Sequence, residues 1–363
     1  MTGPTTRSIA RLMTGSITAS LFVAFAAALS AQQPKVSDTQ FKSEPVEQNL
    51  AVTVDRVRHS NDQLWLGYEV PALPGTPLNS CSDWSDSSQS EDGCCGEHRL
   101  EDEHDTHRRS DGQAAQNVYV LLRFDMGNLV KARSVSAGCH LNAGGVNFDW
   151  ITGVKPEESI AFLAGLVNQQ PDHPRTVEGA LLAISFHAAP EATRLLEQIA
   201  SSSASEHTRE QAAFWLGVQR GHDGFVALKL LENKSTDDAQ FREKLTFDFA
   251  QNSDPGADDE LIHMAKFDAD SKVRGQALFW IAHKAGKRAT AALTDAIQND
   301  PETDVKKKAV FALSQLPKDE SIPQLIHVAD TNSNLTVRKE AFFWLGQSQD
   351  PRALAYLEQV LKR

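Results

Sequence analysis

The sequence predicts an α+β chain in two parts: a small β-rich domain over residues 49–150, then an all-α solenoid of about six helix pairs over 151–363. Three observations carry this reading. A small-residue slot recurs at Ala180, Ala212, Leu245, Ala277, Ala309 and Ala341, at steps of 32, 33, 32, 32 and 32 residues. Runs rich in β-branched and aromatic residues, bounded by turn residues, precede Trp150. A short apolar stretch behind a basic flank opens the chain.

That opening stretch sets the expected compartment. Arg7 and Arg11, with no acid nearby, precede the apolar run 17–29 and the small residues Ser30 and Ala31. This is the order of a secretory signal peptide, 1–31, cut after Ala31. The run holds 13 residues, with Thr18 and Ser20 inside it, and is short for a membrane span. The expected location is periplasmic or secreted, with no stable membrane insertion after cleavage. Loss of the segment removes two arginines and no acid, and moves the net charge from −12 to −14. Nucleic acid and anionic membrane surfaces select Lys/Arg patches, so that balance argues against both as partners.

Residues 32–48, polar and carrying Pro34 and Pro45, read as a linker. The stretch 51–57 is β-branched and predicts a strand; 64–70 predicts a second, stopped by Pro71. Residues 117–124 and 128–135 flank the turn residues Asp125, Met126 and Gly127 and predict a hairpin. Between the second strand, 64–70, and the third, 117–124, lies an insert, 72–116, with too few apolar residues to pack a core and an acidic run at Glu101, Asp102, Glu103 and Asp105. It is expected to be disordered unless a disulfide constrains it. The chain has four cysteines, Cys81, Cys94, Cys95 and Cys139. An even count in an exported chain predicts disulfides. A bond between the neighbours Cys94 and Cys95 would be strained, so Cys81 and Cys139 are each expected to pair with one of that doublet.

The helical half is built on the repeat. Segments 208–217, 241–250, 273–282, 305–314 and 337–346 align, with a weaker copy from Thr176. In the last unit Val337, Ala341, Trp344 and Leu345 stand at i, i+4, i+7 and i+8, one face of a helix. A second amphipathic helix follows each time, as at 353–361. One helix pair cannot bury its own apolar face; stacked pairs can, and Ala at the crossing lets helices approach closely.

Asp270, Val273, Arg274 and Ala277 form an Asp-x-x-Val-Arg-x-x-Ala core. By this core residues 176–363 resemble HEAT repeats, specifically the bacterial HEAT-like repeats of the phycobilisome-lyase type. The resemblance implies an α-solenoid; such solenoids serve as scaffolds, adaptors and a few enzymes. Arg209, Arg242, Arg274, Lys306 and Arg338 share one slot. They read either as a basic stripe for an acidic ligand or as an inter-repeat ladder with Asp237, Asp270, Asp304 and Asp330. The resemblance favours the ladder. Trp215, Trp280 and Trp344 recur in alternate repeats at a core-facing position, with Asp248 and Ala312 between them. Trp is also a favoured interface anchor, and an acid at an apolar slot is either solvent-facing on a concave side or hydrogen-bonded. These four, Asp248 and the three tryptophans, are the candidate binding face.

No catalytic residue, cofactor or metal set is predicted. Gly-x-x-x-x-Gly-Lys-Ser/Thr, Gly-x-Ser-x-Gly and His-Glu-x-x-His are all absent from the sequence. HEAT-like di-iron hydroxylases carry His-Glu dipeptides; here the order is reversed, in Glu97-His98, Glu103-His104 and Glu206-His207. Cys94, Cys95, His98, His104 and His107, with Cys81, Cys139 and His140, offer thiolate and imidazole ligands but no standard spacing. The expected function is therefore a non-enzymatic adaptor, its second helices lining a concave surface that grips another protein or peptide. A lyase-type enzyme and a metal or redox sensor on the Cys/His loop are the alternatives.

Overall fold

The computed structural model describes residues 33–75, 97–102, 116–169, 174–202, 205–284 and 287–362. The expected signal peptide, Cys81, Cys94, Cys95, His104 and His107 lie outside them.

The N-terminal region is two β-sheets and a helix: β1 (Val36–Ser37), β2 (Phe41–Pro45), α1 (Leu50–Val57), β3 (Gln63–Pro71), β4 (Glu97–Arg99), β5 (Asn117–Asp125), β6 (Asn128–Ser136), β7 (His140–Asn142) and β8 (Asn147–Thr152). A five-stranded sheet runs β2-β8-β3-β5-β6 and a three-stranded one β1-β7-β4. The expected hairpin is β5–β6. Its turn residues Met126 (φ 48°) and Gly127 (φ 75°) are both left-handed, the geometry of a tight hairpin turn.

Three expectations are corrected here. The strand expected at 51–57 is α1. Leu50, Thr53, Val54 and Val57 are buried at helical spacing, and Asn49 caps the helix by accepting from Val52 N at 3.0 Å. The β-branched composition masked that period. The linker expected at 32–48 contains β1 and β2, which pair in parallel with β7 and β8. Edge strands this polar show no apolar alternation; their partners lie about a hundred residues away in sequence. The insert 72–116 is not wholly without structure. At its described part, β4 is followed by fully buried Leu100, and Glu101 accepts from Trp65 Nε1 (2.6 Å) and Arg123 Nε (2.9 Å).

β3 is central, so both of its faces are covered. Leu64, Leu66, Tyr68 and Val70 face one core; Trp65 joins Leu121, Phe148, Trp150, Leu100 and Leu141 in a second. Gly67 is required between them: a Cβ there would stand 2.9 Å from Leu121 and 3.0 Å from both Phe148 and Trp150.

Thirteen described helices follow: α2 (Pro156–Gln169), α3 (Pro174–Phe186), α4 (Glu191–Ser202), α5 (Glu206–Gln219), α6 (Gly221–Lys234), α7 (Ala239–Gln251), α8 (Gly256–Phe267), α9 (Ser271–Lys284), α10 (Lys287–Asn299), α11 (Thr303–Ser314), α12 (Lys318–Thr331), α13 (Leu335–Gln347) and α14 (Pro351–Leu361). From α3 they form six pairs in a HEAT-like stack, and all six small-slot residues are fully buried. No helix among the described residues is long and apolar enough to cross a membrane.

The stack does not begin as a separate body. One core runs from Leu50 through the sheet and α2 to Tyr356. α3 packs on β6, where any side chain at Gly179 would collide with the Ala132 carbonyl. A buried relay joins sheet to helices. Ser159 Oγ lies 2.9 Å from Tyr68 Oη and 2.8 Å from His187 Nε2, and His187 Nδ1 lies 2.7 Å from the Ala183 carbonyl. A carbonyl only accepts, so we assign the ring hydrogen to Nδ1; Nε2 then accepts from Ser159, which accepts from Tyr68. Burial lowers the His187 pKa to about 4 and raises that of the Tyr68 phenol. The expected 150/151 boundary falls inside β8, and one continuous core crosses from the sheet to the helices.

The arginine slot forms a ladder, with different partners from those expected. Arg242 makes a two-pronged pair with Asp268 (2.7 and 2.9 Å) and bonds the Ser235 and Thr236 carbonyls (both 2.7 Å) after α6. Arg274 does the same with Asp300 (2.7 and 3.1 Å) and the Asp268 and Ala269 carbonyls. Arg209 reaches Asp238 (3.1 Å) and Ala200 O. Lys306 and Arg338 reach only carbonyls, of Gln298 and Ala329. Long side chains on a helix lean toward its N-terminus, so these land on the C-terminal ends of the second helices. Asp270 instead caps α9, bonding Lys272 N, and Asp330 accepts from Tyr356.

The ladder should not be energetically uniform. The Arg274 and Asp300 side chains are 8% and 5% exposed, and breaking such a buried pair costs about 3–5 kcal/mol. Arg274→Ala is expected to destabilise by that amount in urea unfolding, and Lys306→Ala by under about 1 kcal/mol. Equal losses would contradict the assignment.

Candidate functional site

The two helix layers are unequally packed. Successive first helices, α3, α5, α7, α9, α11 and α13, lie against one another more extensively than successive second helices do. Gly217 shows how closely: a Cβ there would stand 2.5 Å from the Asp248 carbonyl oxygen. The first-helix layer is therefore the more tightly packed of the two.

On that layer a row of phenylalanines, Phe214, Phe247, Phe279, Phe311 and Phe343, repeats at the 32-residue register beside the tryptophans. Eight rings touch in one unbroken ribbon. Trp215 meets Phe214 (centroids 4.8 Å), Phe214 stacks on Phe247 (6.0 Å), and Phe247 meets Trp280 (4.8 Å). Trp280 meets Phe279 (4.9 Å), Phe279 stacks on Phe311 (6.2 Å), and Phe311 meets Trp344 (5.0 Å), which meets Phe343 (5.0 Å). The tryptophans also pack against the core, whereas the phenylalanines are half-buried and Phe343 is 53% exposed. The sequence reading took the tryptophan row and passed over the phenylalanine row, one position earlier in every unit, though its period was legible.

Toward the C-terminal end the ribbon borders a cleft of about 490 Å³. Phe311 and Trp344 line it with Lys272, Lys307, Lys308 and Glu340. Gly275 makes room: the Lys308 stem lies where its Cβ would stand. The Trp344 indole donates to Glu340 (2.9 Å). The buried Trp215 and Trp280 N–H groups have no acceptor among the described residues.

Between those two tryptophans in register sits Asp248. It is 3% exposed, so it presents nothing to a partner, and its place in the candidate binding face is withdrawn. The close crossing of α5 and α7 covers it. Burial, with Glu210 nearby, drives its pKa well above the usual carboxylate range. Of the other expected groups, Cys139 is buried and disulfide-bonded; the pairing lies outside the described residues. His140 stands on the three-stranded sheet, 3.9 Å from Glu97, and His98 is buried beside it on β4.

A separate group occupies the second-helix layer. Glu232 on α6 and Glu260 and His263 on α8 place one ligand atom each within 4.8 Å of the others. Burial and the facing Glu260 push the Glu232 pKa up to about 8.

A raised carboxyl pKa means the folded chain binds the proton more tightly than the unfolded one. Asp248 therefore imposes no penalty at pH values below its unfolded pKa, and an increasing one as pH rises toward its folded pKa. Asp248→Asn should melt higher than wild type at pH 7 and level with it near pH 3.5, by circular dichroism. An equal difference at both pH values would refute a protonated Asp248.

Of three comparisons with known proteins, only the family model bears on the stack. A solved structure of human deoxyhypusine hydroxylase in complex with glycerol is similar over 55% of this chain and 77% of that one, at 17% identity and a TM-score of 0.25. A likeness that low carries no argument. A search of curated proteins finds no match. The family model described as HEAT repeats matches residues 258–342 and 290–363, so that the stretch from α8 to the end of α14 consists of HEAT repeats.

Proposed function

We propose that this chain is an exported, non-enzymatic adaptor that binds another protein or peptide along the aromatic ribbon. The single observation carrying this reading is the ribbon itself. Four phenylalanines stay partly exposed in register and Phe343 is 53% exposed, and none of the five belongs to the core cluster. Contiguous, partly exposed aromatic surface is unfavourable in water, aromatic residues are enriched at interfaces, and tryptophan is enriched among hot spots. The fitting partner is an extended segment with apolar anchors for the rings and an acidic residue for Lys272 and Lys308 at the cleft, where Asp304 already stands 3.9 Å from Lys307. The lyase-type reading rests on the Asp270–Ala277 motif alone, and no feature of the ribbon favours it.

The test is capture by the chain from residue 32 onward, with crosslinking to envelope proteins of its own source. A Phe279→Ser/Phe311→Ser variant of unchanged melting temperature should lose the captured partner by tenfold or more, on the order of 1.4 kcal/mol. Undiminished capture would overturn the ribbon as the binding surface. Export is checked by N-terminal sequencing of the chain from its natural host: a start at Gln32 is expected, and an intact Met1 would refute the signal peptide.

A further inference from the structure

The Glu232, Glu260 and His263 group has no role in the ribbon. Glu260 and His263 stand one turn apart on α8, at i and i+3, and so share a face. Glu232 meets them from the last turn of α6, one repeat earlier. The Glu260 side chain is 7% exposed, with Lys229 Nζ 2.5 Å from one carboxylate oxygen. His263 Nδ1 is 3.4 Å from the other, and its ring is 60% exposed. Asp268, the other nearby acid, is taken up by Arg242.

We propose that Glu232, Glu260 and His263 bind one divalent transition-metal ion, with Zn²⁺ the best fit, and that the ion ties α6 to α8. The donor set selects the class. Two carboxylates and an imidazole suit zinc and its neighbours, whereas calcium and magnesium prefer oxygen alone. Around one zinc at about 2.0–2.2 Å, tetrahedral donors stand roughly 3.3–3.6 Å apart. The group, within 4.8 Å, needs a contraction on the order of 1 Å, which Glu232 and His263 supply by side-chain rotation from the accessible side. Three protein ligands leave the fourth position to water.

Two further features point to a cation. One carboxylate buried against another is unfavourable unless a proton or positive charge stands with them, and an ion in place of the proton lets both carboxylates be charged. Lys229 supplies a single charge, closest to one oxygen of Glu260. The second-helix layer is also the loosely packed one, bridged by long side chains such as Lys234–Glu197 and Lys266–Asp295. A metal tie there supplies what backbone packing does not.

Calorimetric titration of the chelator-stripped full chain with ZnCl₂, against MgCl₂, tests this. Zinc should bind at one site with these ligands, and magnesium should not compete. Glu232→Gln and His263→Gln, each matched to wild type in melting temperature, should weaken that site at least about tenfold; metal-ligand replacements act on this scale or above. Lys229→Met should tighten it, because the competing cation is gone. Zinc should raise the wild-type melting temperature and not that of His263→Gln. Zinc affinity unchanged in both ligand variants would place any bound zinc elsewhere, the Cys/His loop included, and overturn the proposal. Weaker binding by Lys229→Met would also overturn it.

Discussion

The buried guanidinium groups of Arg242 and Arg274 hold the stack in register, and much of the structure follows from them. The last turn of every helix leaves carbonyls without partners and a partial negative charge. Stacking repeats brings the C-termini of α6, α8 and α10 into one line and dries them. A guanidinium, with five donors in a fixed fork, satisfies two such carbonyls and a carboxylate together. Arg242 ties the end of α6 to the end of α8, and Arg274 ties α8 to α10. At the opposite ends of the first helices a second ladder does similar work. Arg220 bonds the Ser185 and His187 carbonyls, Asn252 those of Gly217 and Gly221, and Lys284 those of Phe249 and Asn252.

With both ends pinned, the first helices are free to pack as closely as their side chains allow. Ala and Gly at the crossings allow a great deal. The close spacing has a consequence on the solvent-facing side of the same helices. Phenylalanines at one position per repeat come within ring contact of their neighbours, so isolated aromatic residues become a continuous surface. The second helices, farther apart, are joined by long charged side chains. The contrast gives the layers different chemistry, an aromatic face on one and ionic bridges on the other.

The β-rich region does more than precede the stack. Its central sheet supplies the surface on which α2 and α3 close, and the Tyr68–Ser159–His187 relay passes from strand to helix in a dry setting. An open-ended solenoid must cover the apolar face of its first repeat. Here the sheet and α2 provide that cover, which is why the first pair needs no polar capping helix of its own.

Much of the fold was legible because it is periodic. The 32-residue register, the buried alanines and the Met126-Gly127 turn are local patterns whose meaning does not depend on distant residues. The phenylalanine row was equally periodic, but periodicity alone does not say whether a ring faces core or solvent. Features that depend on distant partners were not legible. β1 and β2 become strands only through β7 and β8. α1 carries a strand-like composition that an Asn49 cap and a helical burial pattern override. Asp248 reads either as a solvent-facing or as a hydrogen-bonded acid, and only the fold shows it buried at 3% exposure.

By itself, the sequence determined that this chain stacks helix pairs, because hydrophobic period and small-residue spacing are properties of each repeat. Only the tertiary structure decided which acids pair with the arginines, which helix layer packs more tightly, and which rings meet. Those outcomes depend on helix spacing and side-chain direction between repeats, and a linear sequence carries neither distance.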